Sequence, residues 1–149
     1  MSHTPFSVVK SKYNARSCVI DDIKFQSILE GACYEVIRDS GITYEMQKPF
    51  ILQPKFEHNG KKIQPIKYVC DFYVQQGDQV YVIDAKGMVL PLFKMKMKMM
   101  LYTTGHHIIC VGSITKMKKV VKMIADRLSP EDIIQELKPK KRPKKKTTT

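Results

Sequence analysis

The chain has 149 residues, of which 43% are hydrophobic, so it is long enough for one domain with a single core. It has no run of about 18 apolar residues and no apolar signal core at its N-terminus, so we expect a cytoplasmic protein without a membrane span. An excess of 26 basic over 14 acidic residues gives a formal net charge of +12, which favours a polyanionic partner.

Four cysteines, Cys18, Cys33, Cys70 and Cys110, stand far apart, with no C-x-x-C motif and no nearby histidine pair. This pattern indicates neither a zinc site nor a disulfide framework, and it is typical of a reducing compartment. Cys70 and Cys110 lie in apolar runs, where cysteine behaves as a small buried hydrophobic residue.

The chain divides into three parts by composition and periodicity. Residues 1–22 have weak periodicity and are predicted to form an N-terminal arm, residues 23–137 a folded domain, and residues 138–149 a disordered basic tail. The tail holds seven basic residues and no acidic one, so it either solubilises the protein or binds phosphates. Nucleic acid is the partner that the charge favours, although a basic tail alone would also suit an acidic protein or an anionic membrane surface. The candidate phosphate contacts in the tail are Lys140, Lys141 and Arg142.

The first half of the domain is predicted to be one helix followed by strands. Residues 23–40 have apolar side chains at helical spacing, with Asp21 or Asp22 as the N-cap and Gly41 as the stop. The predicted strands are 43–54, 66–74 and 79–84, with turns at Asn59-Gly60 and Gly77.

The second half contains an ambiguous segment, residues 91–103, whose K-M-K-M-K-M alternation imitates a strand. Methionine and lysine are good helix formers, Pro91 suits a first helical turn and Gly105 suits a stop, so we predict a helix. After it come a strand at 106–111 and helices at 115–128 and 130–137. The resulting order, α-β-β-β-α-β-α-α, predicts an α/β domain with a central mixed sheet flanked by helices.

The candidate active site lies where the predicted strand Val80–Ile83 ends in Asp84-Ala85-Lys86. Side chains two apart on a strand point to the same side, so the aspartate and the lysine are presented together. Asp71 lies on the preceding strand, and a hairpin of that length can bring the two carboxylates into one site. Paired carboxylates suit Mg²⁺ or Mn²⁺, and an adjacent lysine can orient an attacking water.

The tripeptide alone carries little information, because chance predicts about two acid-x-Lys matches in this composition. The sequence contains three: Asp22-Ile-Lys24, Asp84-Ala-Lys86 and Glu136-Leu-Lys138. Only the second of these ends a buried type of strand and has a strand aspartate before it.

The segments YVCDF (68–72) and VYVIDAKG (80–87) resemble the PD-(D/E)XK nuclease superfamily, in which an aspartate precedes an acid-x-Lys on paired strands. FQSILE (25–30) is similar to the F-x-S-x-x-E helix of phage Holliday-junction endonucleases. LQPKF (52–56) and IKYVCDF (66–72) resemble small phage and prophage proteins of the same superfamily. Residue 70 is Cys where the family has Pro, and Asp84 replaces the commoner Glu.

The resemblance implies a restriction-endonuclease-like core and roles for individual residues. Asp71 and Asp84 would bind Mg²⁺, which Mn²⁺ can replace, with the Ala85 carbonyl as a further ligand. Lys86 would position the nucleophilic water, and Glu30 would join the acidic cluster and hold a second metal ion or a metal-bound water.

Two positions compete with or add to this set. Glu35 is the rival to Glu30 and lies about 140° away around the predicted helix. Gln53 is a softer candidate for a residue beside the metal. The candidate DNA-binding residues on the helix after the catalytic strand are Lys94, Lys96 and Lys98.

The implied function is a Mg²⁺-dependent endonuclease that hydrolyses phosphodiester bonds of branched DNA, as a phage Holliday-junction resolvase does. Junction resolution needs two coordinated cuts, so this hypothesis implies a homodimer with one site per subunit. The alternatives are a nicking enzyme, exonuclease or restriction-like nuclease on linear DNA, or a DNA-binding module without catalysis.

Overall fold

The computed structural model describes residues 7–10 and 16–144, and the predictions for the remaining residues lie outside this part of the chain. Three short antiparallel strands come first: β1 (Ser7–Lys10), β2 (Arg16–Ile20) and β3 (Ile23–Phe25), in the order β1-β2-β3. Asp21 and Asp22 have φ angles of 52° and 63°, so they form the tight turn between β2 and β3.

The predicted first helix, residues 23–40, is wrong over its first five residues. Residues 23–25 pair with β2, and helix α1 spans Ile28–Asp39. Ser27, and not Asp21 or Asp22, is the N-cap, and its hydroxyl oxygen accepts the backbone N–H of Glu30 at 3.1 Å. Aspartate is common both at helix N-caps and in left-handed turn positions. Here the pairing of β3 with β2 places Asp21 and Asp22 in a turn.

The central sheet contains β4 (Glu45–Gln53), β7 (Ile66–Gln76), β8 (Gln79–Ala85) and β9 (Ile108–Val111), in the order β4-β7-β8-β9. Pairing is antiparallel except between β8 and β9, which makes the sheet mixed. A separate hairpin of β5 (Phe56–His58) and β6 (Lys61–Ile63) joins β4 to β7. Its turn is the predicted Asn59-Gly60, with both residues at positive φ.

Helices cover both faces of this sheet. Helix α2 (Pro91–Thr104) packs on one face with Met100 fully buried, and α1, α3 (Ile114–Ala125) and α4 (Pro130–Leu137) pack on the other. The helical prediction for the K-M-K-M-K-M segment is confirmed, and α2 stops at Gly105, whose φ is 74°.

The predicted fold class, α/β with a central mixed sheet flanked by helices, is confirmed. The predicted order α-β-β-β-α-β-α-α corresponds to α1, β4, β7, β8, α2, β9, α3 and α4. Within the described residues, no helix combines the length and apolar character that crossing a membrane requires.

The predicted arm at 1–22 is only partly separate from the domain. Cys18 and Ile20 on β2 are buried in the same core as Phe25 and α1, so the boundary at residue 22 falls inside a hairpin of the folded body. At the other end, residues 138–144 are exposed and have no regular secondary structure.

Candidate active site

One row of residues runs across the sheet at the point where its central strands separate. The last paired residues of β7 and β8 are Phe72 and Ile83, so Asp71 and Asp84 are the next residues on the two strands. Gln47 occupies the facing position on β4, between the pairs Met46–Phe72 and Lys48–Cys70. Strand divergence therefore opens a space in which the side chains of this row can meet.

Asp71 bridges the opening between β7 and β8. Its Oδ2 atom accepts the backbone N–H of Ala85 at 2.8 Å, and its Oδ1 atom lies 3.4 Å from the side-chain nitrogen of Gln47. The carboxylate of Asp71 thus takes the place of a β7 carbonyl as the acceptor for the Ala85 N–H. This contact explains how two aspartates on neighbouring strands come together.

Asp84 is the most deeply buried charged side chain of the site, with 3% of its surface exposed. The hydroxyl of Tyr68 donates to Asp84 Oδ2 at 2.6 Å, and Oδ1 lies 3.6 Å from the ammonium group of Lys86. Burial of an unpartnered carboxylate would be costly, so these two contacts stabilise Asp84 in place. The sequence gives no sign of this role for Tyr68, because a tyrosine in an apolar strand is typical of the core.

Lys86 follows β8 directly and is held at both its main chain and its side chain. Its backbone N–H donates to the carbonyl of Val111 at 3.0 Å. Its ammonium group lies 5.0 Å from the ring centroid of Phe93 in the first turn of α2, and the side chain is 40% exposed. The lysine therefore sits between a buried carboxylate and an aromatic ring while still reaching solvent.

Glu30 reaches the row from α1, at the third residue of the helix. Ser27-x-x-Glu30 has the spacing of a capping box, and the amide of Gln47 donates to Glu30 Oε1 at 3.3 Å. The rival Glu35 instead lines a groove between α1 and α3 together with Lys118. Of the two glutamates, the structure brings Glu30 to the site.

Gln47 is a site residue that the sequence analysis missed. Its φ of 54° is unusual for a residue other than glycine, and its amide donates to both Glu30 and Asp71. Met46 and Phe50 are four residues apart and would point to the same face of a regular strand. Instead, Met46 packs on the α1 side of the sheet and Phe50 on the α2 side, so the alternation reverses between them. Such backbone strain persists where surrounding contacts impose it and is found at functional sites.

The softer candidate, Gln53, does not join this site. It lies at the far end of β4, about 20 Å along the strand from Gln47, in a groove with Lys98 and Tyr102. Gln47 differs from the other polar residues of β4 in its positive φ and in its hydrogen bonds to Glu30 and Asp71, and the sequence shows no signal for either.

Crowding of acidic groups changes their protonation. Burial, followed by the nearby carboxylates of Asp84 and Glu30, raises the pKa of Asp71 from 3.8 to about 7. Burial also raises the pKa of Glu30, while a backbone hydrogen bond from Gln26 and the charge of Lys86 oppose that increase. A cation beside these carboxylates would relieve both their burial cost and their mutual repulsion.

Mg²⁺, which the resemblance implies, prefers oxygen ligands, and the acidic residues of the site offer them. Within the described part of the chain, no three side chains of His, Cys, Asp or Glu are arranged to enclose a metal ion. Mg²⁺ does not need such a cage, because it binds through one or two carboxylates together with waters and substrate phosphate. Asp71 and Asp84 each engage one oxygen in a short hydrogen bond and turn the other toward a contact of 3.4 Å or more. Two carboxylate oxygens can therefore accept a hard cation, and the role of the Ala85 carbonyl stays a prediction.

The three lysines of α2 do not share one environment. Lys94 and Lys98 are exposed and lie one helical turn apart. Lys96 is half-buried, and its ammonium group donates to the carbonyl of Lys67 at 3.2 Å, which ties α2 to β7. In the tail, Lys140, Lys141 and Arg142 are exposed.

The chain belongs to a family described as protein of unknown function (DUF1064), which matches residues 10–124. That span includes Glu30, Asp71, Asp84 and Lys86 and ends before the basic tail. No curated protein and no solved structure matches the chain.

Proposed function

We propose that this protein is a Mg²⁺-dependent DNA endonuclease that hydrolyses phosphodiester bonds, with branched DNA such as a four-way junction as its preferred substrate. The observation that carries the proposal is the meeting of Asp71, Asp84 and Lys86 at the point where β7 and β8 separate. Glu30 arrives at the same point from α1, although 40 residues separate it from Asp71 in sequence. The likeness of these motifs to the PD-(D/E)XK superfamily supports the same chemistry.

Asp71 and Asp84 would hold the cation, since each has one oxygen outside a short hydrogen bond. When bound there, Mg²⁺ would supply a Lewis acid that polarises the scissile phosphate and lowers the pKa of water. Tyr68 keeps the Asp84 carboxylate oriented through a hydrogen bond to the oxygen that faces away from Lys86.

Lys86 would act on the reacting groups themselves. Its ammonium group can donate to the attacking water and orient it toward phosphorus. The same charge stabilises the negative charge that develops on the phosphoryl oxygens. Its contacts with Asp84 and Phe93 define its position before substrate arrives, so little reorganisation is needed.

The DNA backbone would be bound by exposed basic residues around this centre. Lys94 and Lys98 on α2 are suited to phosphate contacts, as are Lys140, Lys141 and Arg142 in the tail. The preference for branched DNA, and the homodimer that paired cuts require, are supported by the resemblance of the motifs alone.

The test compares three substrates, a four-way junction, a matched linear duplex and a single strand, each incubated with the protein and Mg²⁺ or Mn²⁺. The variants are Asp84→Asn and Lys86→Ala, with Asp78→Asn in the exposed turn after β7 as the matched control. We expect paired nicks in the junction, a loss of about 10³-fold or more in both site variants, and an unchanged rate in the control.

Equal cutting of all three substrates would favour a nuclease of linear DNA instead. Absence of cutting with either cation would contradict the enzymatic proposal and leave a DNA-binding module. Sedimentation of the native protein provides a further check, because a strict monomer would contradict junction resolution by paired sites.

A further inference from the structure

An exposed apolar surface begins two residues after Lys86. We define the apolar ridge as Met88, Leu90, Leu92 and Met95, whose exposed fractions lie between 47% and 73%. These are four of the eleven large apolar side chains that are exposed in the described part of the chain, and all four fall within eight consecutive positions. Scattered exposed apolar residues need no explanation, but a concentration of this kind marks an interaction surface.

The apolar ridge is attached directly to the candidate active site. Phe93, between two residues of the ridge, carries the Lys86 ammonium group over its ring and packs edge-on against Tyr68 with ring centroids 6.1 Å apart. Tyr68 in turn donates to Asp84. Whatever covers the ridge therefore lies beside the groups proposed to cut DNA.

The charge around the ridge argues against a second copy of this chain as its occupant. Helix α2 contains three lysines and no acidic residue, and exposed Lys94 and Lys98 flank Met95. Packing two α2 helices against each other would bring these lysines together and cost free energy. A polyanion fits this surface better.

A polyanion that covers four apolar side chains must itself offer apolar surface. Phosphates do not, and deoxyribose offers only small apolar patches, whereas the faces of nucleobases are broad and apolar, and they are accessible only where bases are unpaired or unstacked. Methionine and leucine are among the side chains that proteins insert between base steps.

We propose that the apolar ridge contacts unstacked bases and so gives the protein its preference for DNA with unpaired or branched positions. This inference rests on the proposed function in taking DNA, with a preference for branched forms, as the ligand, and it does not depend on cleavage. The lysines bind the backbone, the ridge engages exposed base faces, and the strand beside them is directed toward Asp71 and Asp84.

The test measures binding without cleavage, in EDTA, by fluorescence anisotropy. The probes are a matched duplex and the same duplex with a three-nucleotide bulge. The double variant Met88→Ser with Leu92→Ser tests the ridge, and Leu101→Ser is the matched control, because Leu101 is an exposed leucine on the opposite side of the same helix. We expect the native protein and the control to favour the bulged duplex by about tenfold and the double variant to lose that preference. Its affinity for matched duplex should stay unchanged.

An equal preference in all three proteins, or none in the native protein, would overturn the inference. So would a native dimer that the double variant dissociates without altering the preference, because the ridge would then be a self-association surface. If the protein cuts no DNA but the ridge-dependent preference is present, the proposed catalysis fails and this inference stands.

Discussion

Asp71 both completes the end of the sheet and lies among the acidic groups of the site. One of its oxygens accepts the Ala85 N–H and completes the end of the sheet, while the other faces Gln47. The same burial that makes this contact strong disfavours the charged form, and the neighbouring Asp84 and Glu30 add repulsion. At neutral pH the charged form of Asp71 is therefore unfavourable unless a cation or a proton binds to it.

The raised pKa of Asp71, about 7 against an ordinary 3.8, predicts a pH dependence of stability. The folded state holds the proton more tightly than the unfolded chain, so this stabilising contribution is full below about pH 4 and is lost as pH rises through 7. Asp71→Asn cannot ionise, so its free energy of unfolding relative to native protein should increase by about 2 kcal/mol between pH 5 and pH 8 in EDTA. Urea denaturation at the two pH values measures the change.

The control for that experiment is Asp78→Asn, which removes an exposed turn carboxylate far from the cluster. It should give the same difference from native protein at both pH values. A free energy of unfolding for Asp71→Asn that falls relative to native protein between pH 5 and pH 8 would contradict the sign of the expected effect.

Helix α1 positions Glu30 beside the sheet, within hydrogen-bonding distance of Gln47 on β4. Its first turn is tied down by the Ser27 cap and by a hydrogen bond from the Cys18 thiol to the Ser27 carbonyl at 3.5 Å. Gly31 lets the helix approach β2 closely, since a Cβ there would lie 2.5 Å from Cys18 Sγ and 3.0 Å from Ile20 Cδ1. The FQSILEG segment thus supplies a core anchor, a cap, a site residue and a close contact within seven positions.

Gly31→Ala should destabilise the protein, although glycine to alanine inside a helix ordinarily stabilises by about 1 kcal/mol. The added methyl group overlaps the thiol of Cys18, which is fully buried, so we expect a loss of about 2 kcal/mol in the free energy of unfolding. The double variant Gly31→Ala with Cys18→Ala should be less destabilised than the two single changes summed, as measured in a double-mutant cycle.

Gly87→Ala serves as the control for stability, because a Cβ at Gly87 meets no atom within 4 Å. Its unfolding midpoint should equal that of native protein. A Gly31→Ala variant more stable than native protein would show that α1 does not depend on this close approach.

The exposed basic residues of the folded chain lie apart from the acidic side chains of the site. The acidic groups converge inside the opening between β7 and β8, while exposed lysines on α2 and the basic tail lie outside it. A polyanion would be attracted by the outer charge and meet the carboxylates only where a cation is present. This distribution of charge is the one expected for the nuclease proposed above.

Removal of residues 140–149 should weaken DNA binding without altering the fold. The truncation retains Lys138, whose N–H caps α4 at Gln135, and removes six basic residues, so the formal net charge falls from +12 to +6. The slope of log affinity against log salt should become shallower by as much as about 5. Each phosphate contact releases about one counterion when it forms, so fewer counterions are released when contacts are lost. Anisotropy titrations on a linear duplex at several salt concentrations measure it.

An unchanged slope would show that the tail does not contact DNA phosphates. The thermal unfolding midpoint should match that of the full chain, because residues 138–144 are exposed and lie outside the core. A large drop in that midpoint would contradict the prediction that the tail lies outside the folded domain.

Features that depend on neighbours along the chain could be predicted from the sequence. Asp84 and Lys86 share a side because strand side chains repeat every two residues, and Asn59-Gly60 and Gly105 mark turns because their backbone tolerates positive φ. The helical nature of α2 followed from propensity and from Pro91. Asp21 and Asp22 were misread because a cap and a tight turn favour the same residues.

Which distant groups meet at the site depends on how the strands and helices pack. Gln47 and Tyr68 join Asp71 and Asp84 through the register of three strands, and Gln47 also depends on a left-handed backbone that no local pattern marks. The raised pKa of Asp71 likewise follows from burial and from carboxylates far away in sequence. Local periodicity specifies which side chains point together, whereas their distances and protonation depend on how strands and helices pack.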